Sequence, residues 1–298
     1  MSYQIELRHI RYFLEVARNL HFRKAAEKLY VSQPGLSRQI HQMEEKIGVQ
    51  LFVRDSKKVK LTAAGAYLQE EFELILRNVD GAIDHARLIE KGVMGSINLG
   101  YVGSAMQQII PDLLTRFSDK NAEVQFNLQE MDNLKQADAL LSQKIDLGFV
   151  RLERAPAGLK MHPVLEESFV LVLPVDHPLD QDSFRSLSQF KMEHFILFEQ
   201  SYSPSYYDKM MELFYYSGFE PIVSHNTVHA GTIYKLVEHH LGVSILPESL
   251  MQENPKVKFI RLNQLPFKTT LYAIWSLENR NPVLHDLITK YLLEEHGK

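Results

Sequence analysis

The sequence predicts a mixed fold in three parts: an N-terminal winged helix-turn-helix (all-α with a small β wing), a long linker helix, and an α/β body of two lobes. Three observations carry this. Short amphipathic helical patterns succeed one another to residue 47 and are closed by two strand-like runs, a heptad series of apolar residues follows, and from residue 97 strands alternate with helices. The expected division is 1–62, 63–91 and 92–298, the last split into lobe I (about 92–166 and 268–298) and lobe II (about 167–267). A chain of 298 residues is too long for one compact core.

Leu7, Ile10, Phe13, Leu14, Ala17 and Leu20 recur at helical spacing, and Phe22, Ala25, Ala26 and Leu29 repeat the pattern after a break near His21. A third helix starts after Ser32, a good N-cap, with Pro34 in its first turn, where a missing N–H costs little. Its apolar residues Leu36, Ile40, Met43 and Ile47 share one face, which leaves Pro34, Ser37, Arg38 and His41 on the other. Gly48 stops it. Leu51 to Arg54 and Val59 to Thr62 then read as strands around the turn Asp55-Ser56-Lys57-Lys58.

Leu68, Phe72, Ile75, Val79, Ala82, Ala86 and Ile89 advance alternately by four and three, the spacing of a helix that pairs with a copy of itself. A helix lying on its own body is the alternative, disfavoured by its polar outer faces. Gly92 and Gly95 end it. Beyond lie strand-like runs at 97–102, 124–130, 145–150, 169–174, 195–198, 222–225 and 243–246, with helical runs between most of them, a pattern that implies parallel sheets covered by helices. The chain is expected to cross between lobes near 166–168 and 265–269.

Composition narrows the function. Residues 1–65 carry 12 Lys and Arg against 6 Asp and Glu, a net +6, whereas the rest carries 21 against 31, a net −10. A basic head on an acidic body suggests a polyanionic partner for the head. Cysteine is absent, which excludes disulfides, thiolate metal sites and thiol redox sensing. No apolar run is long enough to span a bilayer, and Met1 to Glu6 form no signal-peptide core, so the cytoplasm is the expected address.

The head resembles the LysR-type transcriptional regulators. The resemblance lies in Leu7-Arg8-His9-Ile10-Arg11-Tyr12-Phe13, Phe22 to Leu29, Val31-Ser32-Gln33-Pro34-Gly35-Leu36-Ser37-Arg38-Gln39-Ile40, Met43 to Phe52 and Leu61-Thr62-Ala63-Ala64-Gly65. Gly100 to Ser104, Glu130-Met131, Ile145 to Arg151, Leu173-Pro174, His177-Pro178-Leu179 and Gly242 to Pro247 are similar to the effector domains of the branch sensing aromatic-acid catabolites and other small organic acids. The resemblance implies a periplasmic-binding-protein-like effector domain of two lobes and a homodimer through the linker helix, usually a dimer of dimers. It also implies a double-stranded DNA operator with two partly symmetric sites, a small organic effector between the lobes, and an altered DNA bend that changes contact with RNA polymerase.

A helix presented in this way enters the major groove by its first turn. Gln33, Pro34, Ser37, Arg38 and His41 form the candidate reading face. Gln33 and Ser37 suit base edges, and Arg38 suits guanine or phosphate. Arg54, Lys57 and Lys58, on or beside the wing, would supply phosphate affinity, although a charged turn is often simply solvated. Thr62 is placed to cap the linker helix.

In the body, Gly103-Ser104 follows a strand and opens a helix, an arrangement that favours an anion, and Ser201 to Tyr206 opens a second helix at Pro204. The resemblance implies the same places, giving effector candidates Ser104, Asn133, Arg151, Pro204, Tyr206 and Thr227, with a carboxylate as the expected ligand. Asn133 stands where relatives often carry a hydroxyl, and Thr227 and His229 depart from the family pattern. Ser104 could equally be a plain helix cap, and Arg151 an ordinary interlobe ion pair.

Three other readings compete. An enzyme would need a motif that is missing, since the chain has no G-x-S-x-G elbow, Walker A loop, G-x-G-x-x-G fingerprint or H-E-x-x-H helix, and no motif calls for a cofactor. A solute-binding protein shares the two-lobe architecture but has no basic head. A regulator without inducer control is the third. His225, His229, His239 and His240 have no spacing that fixes a metal, so surface and cap roles are expected for them.

Overall fold

The computed structural model describes residues 5–55, 58–90, 95–279 and 281–293. It divides into two compact units, Met1–Arg87 and Leu88–Lys298.

In the first unit, α1 (Leu7–Asn19), α2 (Phe22–Lys28) and α3 (Gln33–Ile47) enclose a core of Phe13, Leu14, Leu36, Ile40 and Met43. The Ser32 Oγ accepts from the Gly35 N–H at 3.3 Å, and Gly48 closes α3 at φ 73°, a conformation that costs a residue without Cβ little. Buried His9 of α1 shares a hydrogen bond with Gln39 of α3 at 3.0 Å, which fixes the two helices in register. The strands β1 (Phe52–Asp55) and β2 (Lys58–Leu61) pair antiparallel.

Glu44 was not legible as structural, yet its buried carboxylate accepts from the backbone N–H groups of Leu51 (2.8 Å) and Phe52 (3.1 Å). It ties α3 to the start of the wing. Glu44→Ala leaves those donors buried without that acceptor, and the expected cost is about 2–3 kcal/mol. Thermal unfolding of the full chain should show the head melting earlier, with Glu44→Gln recovering most of the loss. An unchanged head transition in the alanine variant would contradict the assignment.

The linker helix α4 spans Ala63–Glu90 and is capped by Thr62, whose Oγ1 accepts from the Gly65 N–H at 2.9 Å. Any side chain at Gly65 would place Cβ 2.1 Å from the Leu51 carbonyl oxygen, so the helix passes against the wing as only glycine allows. The heptad stripe divides. Phe72 is buried, its ring 5.7 Å from Phe13 and edge-on to it, and Leu68 packs on the same core. Ile75, Ala82 and Ala86 are exposed, as is Ile83 beside the stripe, and Val79 is half-buried. The first part of the stripe therefore lies on its own body, and only the later part is open to a partner; the Ile89 side chain lies outside the described residues.

In the second unit, one sheet runs in the order β4 (Val124–Glu130), β3 (Gly95–Tyr101), β5 (Leu147–Val150), β12 (Thr269–Ser276), β6 (Leu159–Glu167). The helices α5 (Ile109–Ser118), α6 (Asn133–Leu141) and α9 (Pro282–Leu287) belong to this lobe. The other lobe has β7 (Phe169–Pro174) between β10 (Ser244–Pro247) and β11 (Val257–Arg261), and β8 (His194–Phe198) beside β9 (Ile222–Thr227), with α7 (Pro204–Tyr216) and α8 (Ala230–Glu238). Every residue of β7 is buried, as in a central strand covered on both faces.

The all-parallel expectation needs correction. β3, β4 and β5 are parallel, as are β8 and β9, but β12 runs antiparallel to β5 and β6, and β7 runs antiparallel to both its neighbours. The cause is the crossover pair. β6 leads out of one lobe into β7 and β12 leads back, so each sheet receives a strand of reversed sense. β6, β11 and β12 were not read from the sequence, and β6 shows no regular alternation of buried and exposed residues.

Candidate functional site

On α3 the first turn is open. Gln33, Pro34, Arg38 and His41 are exposed and Ser37 is half-buried. His41 Nε2 lies 3.3 Å from Glu45, one turn on, whereas the Arg38 guanidinium has no partner among the described residues. Such an unengaged cation on the exposed face of a helix is available to a polyanion. Arg54 and Lys58 sit in the wing strands with side chains outside the described residues, and Lys57 lies outside them altogether.

In the second unit a cavity of about 260 Å³ opens between the lobes. It lies where parallel strands end: Gly103 and Ser104 follow β3, Glu130 ends β4, Arg151 follows β5, Phe198 ends β8 and His229 follows β9. This is the usual ligand position in open α/β sheets. The turn after β3 is a five-residue 3-10 segment, Gly103–Gln107, and α5 begins only at Ile109. The expected α-helix N-terminus at Ser104 is thus displaced, and the hydroxyl must act without a full helix dipole.

Arg151 is buried at the cavity floor. Its Nε and Nη2 donate to Ser104 Oγ at 3.2 and 3.1 Å, Nη1 donates to Thr269 Oγ1 at 3.0 Å, and Nη2 pairs with Glu167 Oε1 at 2.5 Å. Glu167 Oε1 also accepts from the Ser249 hydroxyl at 2.9 Å, and its other oxygen accepts from the Ser249 N–H. The ion pair expected to span the lobes thus joins two strand ends of one sheet, and it is Glu167 that reaches the other lobe, through Ser249. With its oxygen accepting twice from the guanidinium, Ser104 has only its hydrogen left to offer, and the cavity lies before it.

Ser104, Arg151 and Tyr206 line the cavity; Asn133, Pro204 and Thr227 do not. Asn133 is fully buried behind it, donating to the Arg151 carbonyl (3.1 Å) and the Ser203 hydroxyl (2.7 Å) and accepting from the Arg151 N–H (3.0 Å). Its amide makes two donor bonds and one acceptor bond, which a single hydroxyl could not supply, and the one to Ser203 crosses between the lobes. The Thr227 Oγ1 accepts from the His229 N–H at 3.4 Å. Burial raises the phenol pKa values of Tyr202 and Tyr206, with the Glu130 carboxylate adding to the first, so both remain hydrogen-bond donors.

Glu130, Tyr202 and His229 line the cavity without having been chosen from the sequence. The signal was available: Glu130 and His229 stand at strand ends, the rule that singled out Ser104. Among the described residues no group of His, Asp or Glu is arranged to hold a metal; His225 contacts Ser224, His229 faces Glu130, and His240 faces Asp176.

Comparison with known proteins agrees with both halves. Residues 7–66 match the family described as "Bacterial regulatory helix-turn-helix protein, lysR family", and residues 90–295 match the "LysR substrate binding domain". The transcriptional regulator CatR of Pseudomonas putida is 34% identical over 84% of this chain and 85% of its own length. AlsR of Bacillus subtilis is 29% identical over 95% and 94%. Among solved structures, full-length CbnR in complex with its target DNA aligns with a TM-score of 0.68 at 26% identity, covering 95% of this chain and 98% of CbnR. Full-length BenM aligns at 0.57 and 28% identity, covering 95% and 94%. With a helix-turn-helix in the first unit, a two-lobed body with a cleft in the second and family matches to both, the chain belongs to the LysR family of DNA-binding transcriptional regulators.

Proposed function

We propose that this regulator binds an operator through Gln33, Pro34, Ser37, Arg38 and His41, with Arg54, Lys57 and Lys58 adding phosphate affinity, and that a small carboxylate in the interlobe cavity modulates it. The observation that carries the effector reading is the Ser104 hydroxyl. Both its acceptor positions are filled by Arg151, so it can only donate, and an anion is the natural recipient. The effector set in this reading is Ser104, Arg151 and Tyr206 in contact, with Asn133, Pro204 and Thr227 supporting the wall.

The same arrangement argues against catalysis, because a serine that accepts twice from a cation, with no base among the described residues receiving its proton, is not an activated nucleophile. The working unit is a homodimer through Ile75, Val79, Ala82 and Ile83 of α4, assembled as a dimer of dimers in the cytoplasm and contacting RNA polymerase from the operator. The exposed apolar run on α4 supports the first of these.

A panel of small carboxylates, plain and substituted, added to the full chain tests the effector reading. A binder at a hundred times its Kd should add about 2.7 kcal/mol of apparent stability. It should also alter the gel-shift pattern on the operator. Absence of any thermal shift, with operator binding intact, would favour a regulator without inducer control.

A further inference from the structure

We infer that the ligand of this cavity carries, beside its carboxylate, a hydrogen-bond donor on a neighbouring carbon, a hydroxyl or an amine, which Glu130 receives. The inference rests on the carboxylate reading and narrows it.

The first ground is charge. The Arg151 guanidinium is buried against the Glu167 carboxylate, so its positive charge is already balanced within the protein. The carboxylate that remains in the cavity wall is Glu130. A cleft whose arginine is already paired and whose wall presents a carboxylate is a poor receptacle for a bare anion.

The second ground is incomplete satisfaction. Glu130 Oε1 makes only long contacts, to the Tyr202 hydroxyl at 3.4 Å and to His229 Nδ1 at 3.5 Å, and Oε2 has no partner among the described residues. The carboxylate thus retains acceptor capacity facing the space a ligand would occupy. On the lobe-II side the Tyr202 hydroxyl donates to it and the His229 ring lies beside it.

The third ground is placement. A Cβ built on Gly103 would lie 3.1 Å from Glu130 Oε1, and Gly103 immediately precedes Ser104. The acceptor, at the end of β4, therefore stands beside the turn after β3 that carries the donating serine. A carboxylate received by Ser104 alone would meet Glu130 as a like charge. An O–H or N–H on the adjacent carbon converts that repulsion into a charge-assisted hydrogen bond. Met106, Phe198 and Leu250, elsewhere in the wall, suit a hydrocarbon remainder.

Titration calorimetry on the full chain with two matched trios tests this: mandelate, phenylglycine and phenylacetate, then lactate, alanine and propionate. In at least one trio the hydroxy or amino acid should bind at least about tenfold tighter than the parent acid, and the two substituted arms show whether hydroxyl or amine is preferred. Glu130→Gln, at the exposed end of a strand and checked for fold by circular dichroism, should reduce the preference to near parity. Equal or better binding of phenylacetate and propionate, or a preference that survives in Glu130→Gln, overturns the donor requirement and leaves the carboxylate reading standing. If no acid of either trio binds at millimolar concentration, both fall.

Discussion

Arg151→Ala is expected to destabilise the second unit by about 3–5 kcal/mol, the range for breaking a buried ion pair by removing one partner. The loss is large because Arg151 does several jobs from one buried position. Its guanidinium reaches Ser104 and Thr269 as well as Glu167, and its backbone is held by Asn133. Truncation leaves the Glu167 carboxylate buried with Ser249 as its one remaining hydrogen-bond partner among the described residues. Urea unfolding of the full chain measures the effect, with the second-unit transition moving to lower urea while the head transition stays in place. Arg151→Met with Glu167→Leu removes both charges together and should restore much of the stability without restoring effector binding. A single alanine variant as stable as the parent would show that the buried Arg151–Glu167 pair does not hold the second unit together.

Arg38→Ala is expected to abolish specific operator binding while leaving the fold untouched. The residue is exposed, has no partner among the described residues and lies opposite the buried Leu36, Ile40 and Met43, so its removal exposes no core. An arginine contact to guanine contributes about 1–3 kcal/mol of discrimination per half-site. Two half-sites double that, against a typical gap between specific and non-specific binding of about 4–10 kcal/mol. Gel-shift titrations on operator and scrambled DNA should therefore converge in the variant. A uniform weakening on both DNAs would instead make Arg38 a phosphate contact, and unchanged operator affinity would remove it from the interface.

Much of this molecule was legible because its local signals agree with its packing. Ser32, Pro34, the Leu36–Ile40–Met43 face and Gly48 all specify one helix with one free side, and the structure bears them out residue by residue. The linker helix was legible in extent and less so in partner, because Leu68 and Phe72 satisfy a heptad and an intramolecular core equally well. The body's strand senses were not legible, since a strand's direction depends on which lobe the chain has just left and not on its own residues. The cleft was legible at Ser104, Arg151 and Tyr206. Glu167, Ser249 and Thr269, which complete the Arg151 network, come from segments 16 to 118 residues away in sequence, and nothing local marks them as its partners.

The burial of Phe72 against Phe13 has a mechanical consequence. The opening turns of α4 are fused to the reading head, leaving no swivel between them, so the head can turn only as the helix turns. In the proposed dimer the two helices then act as rigid tillers. A small change of angle at the seam around Ile75 and Val79 would be carried undiminished to the recognition helices, and the distance between half-sites would be steered from the seam and not at the DNA.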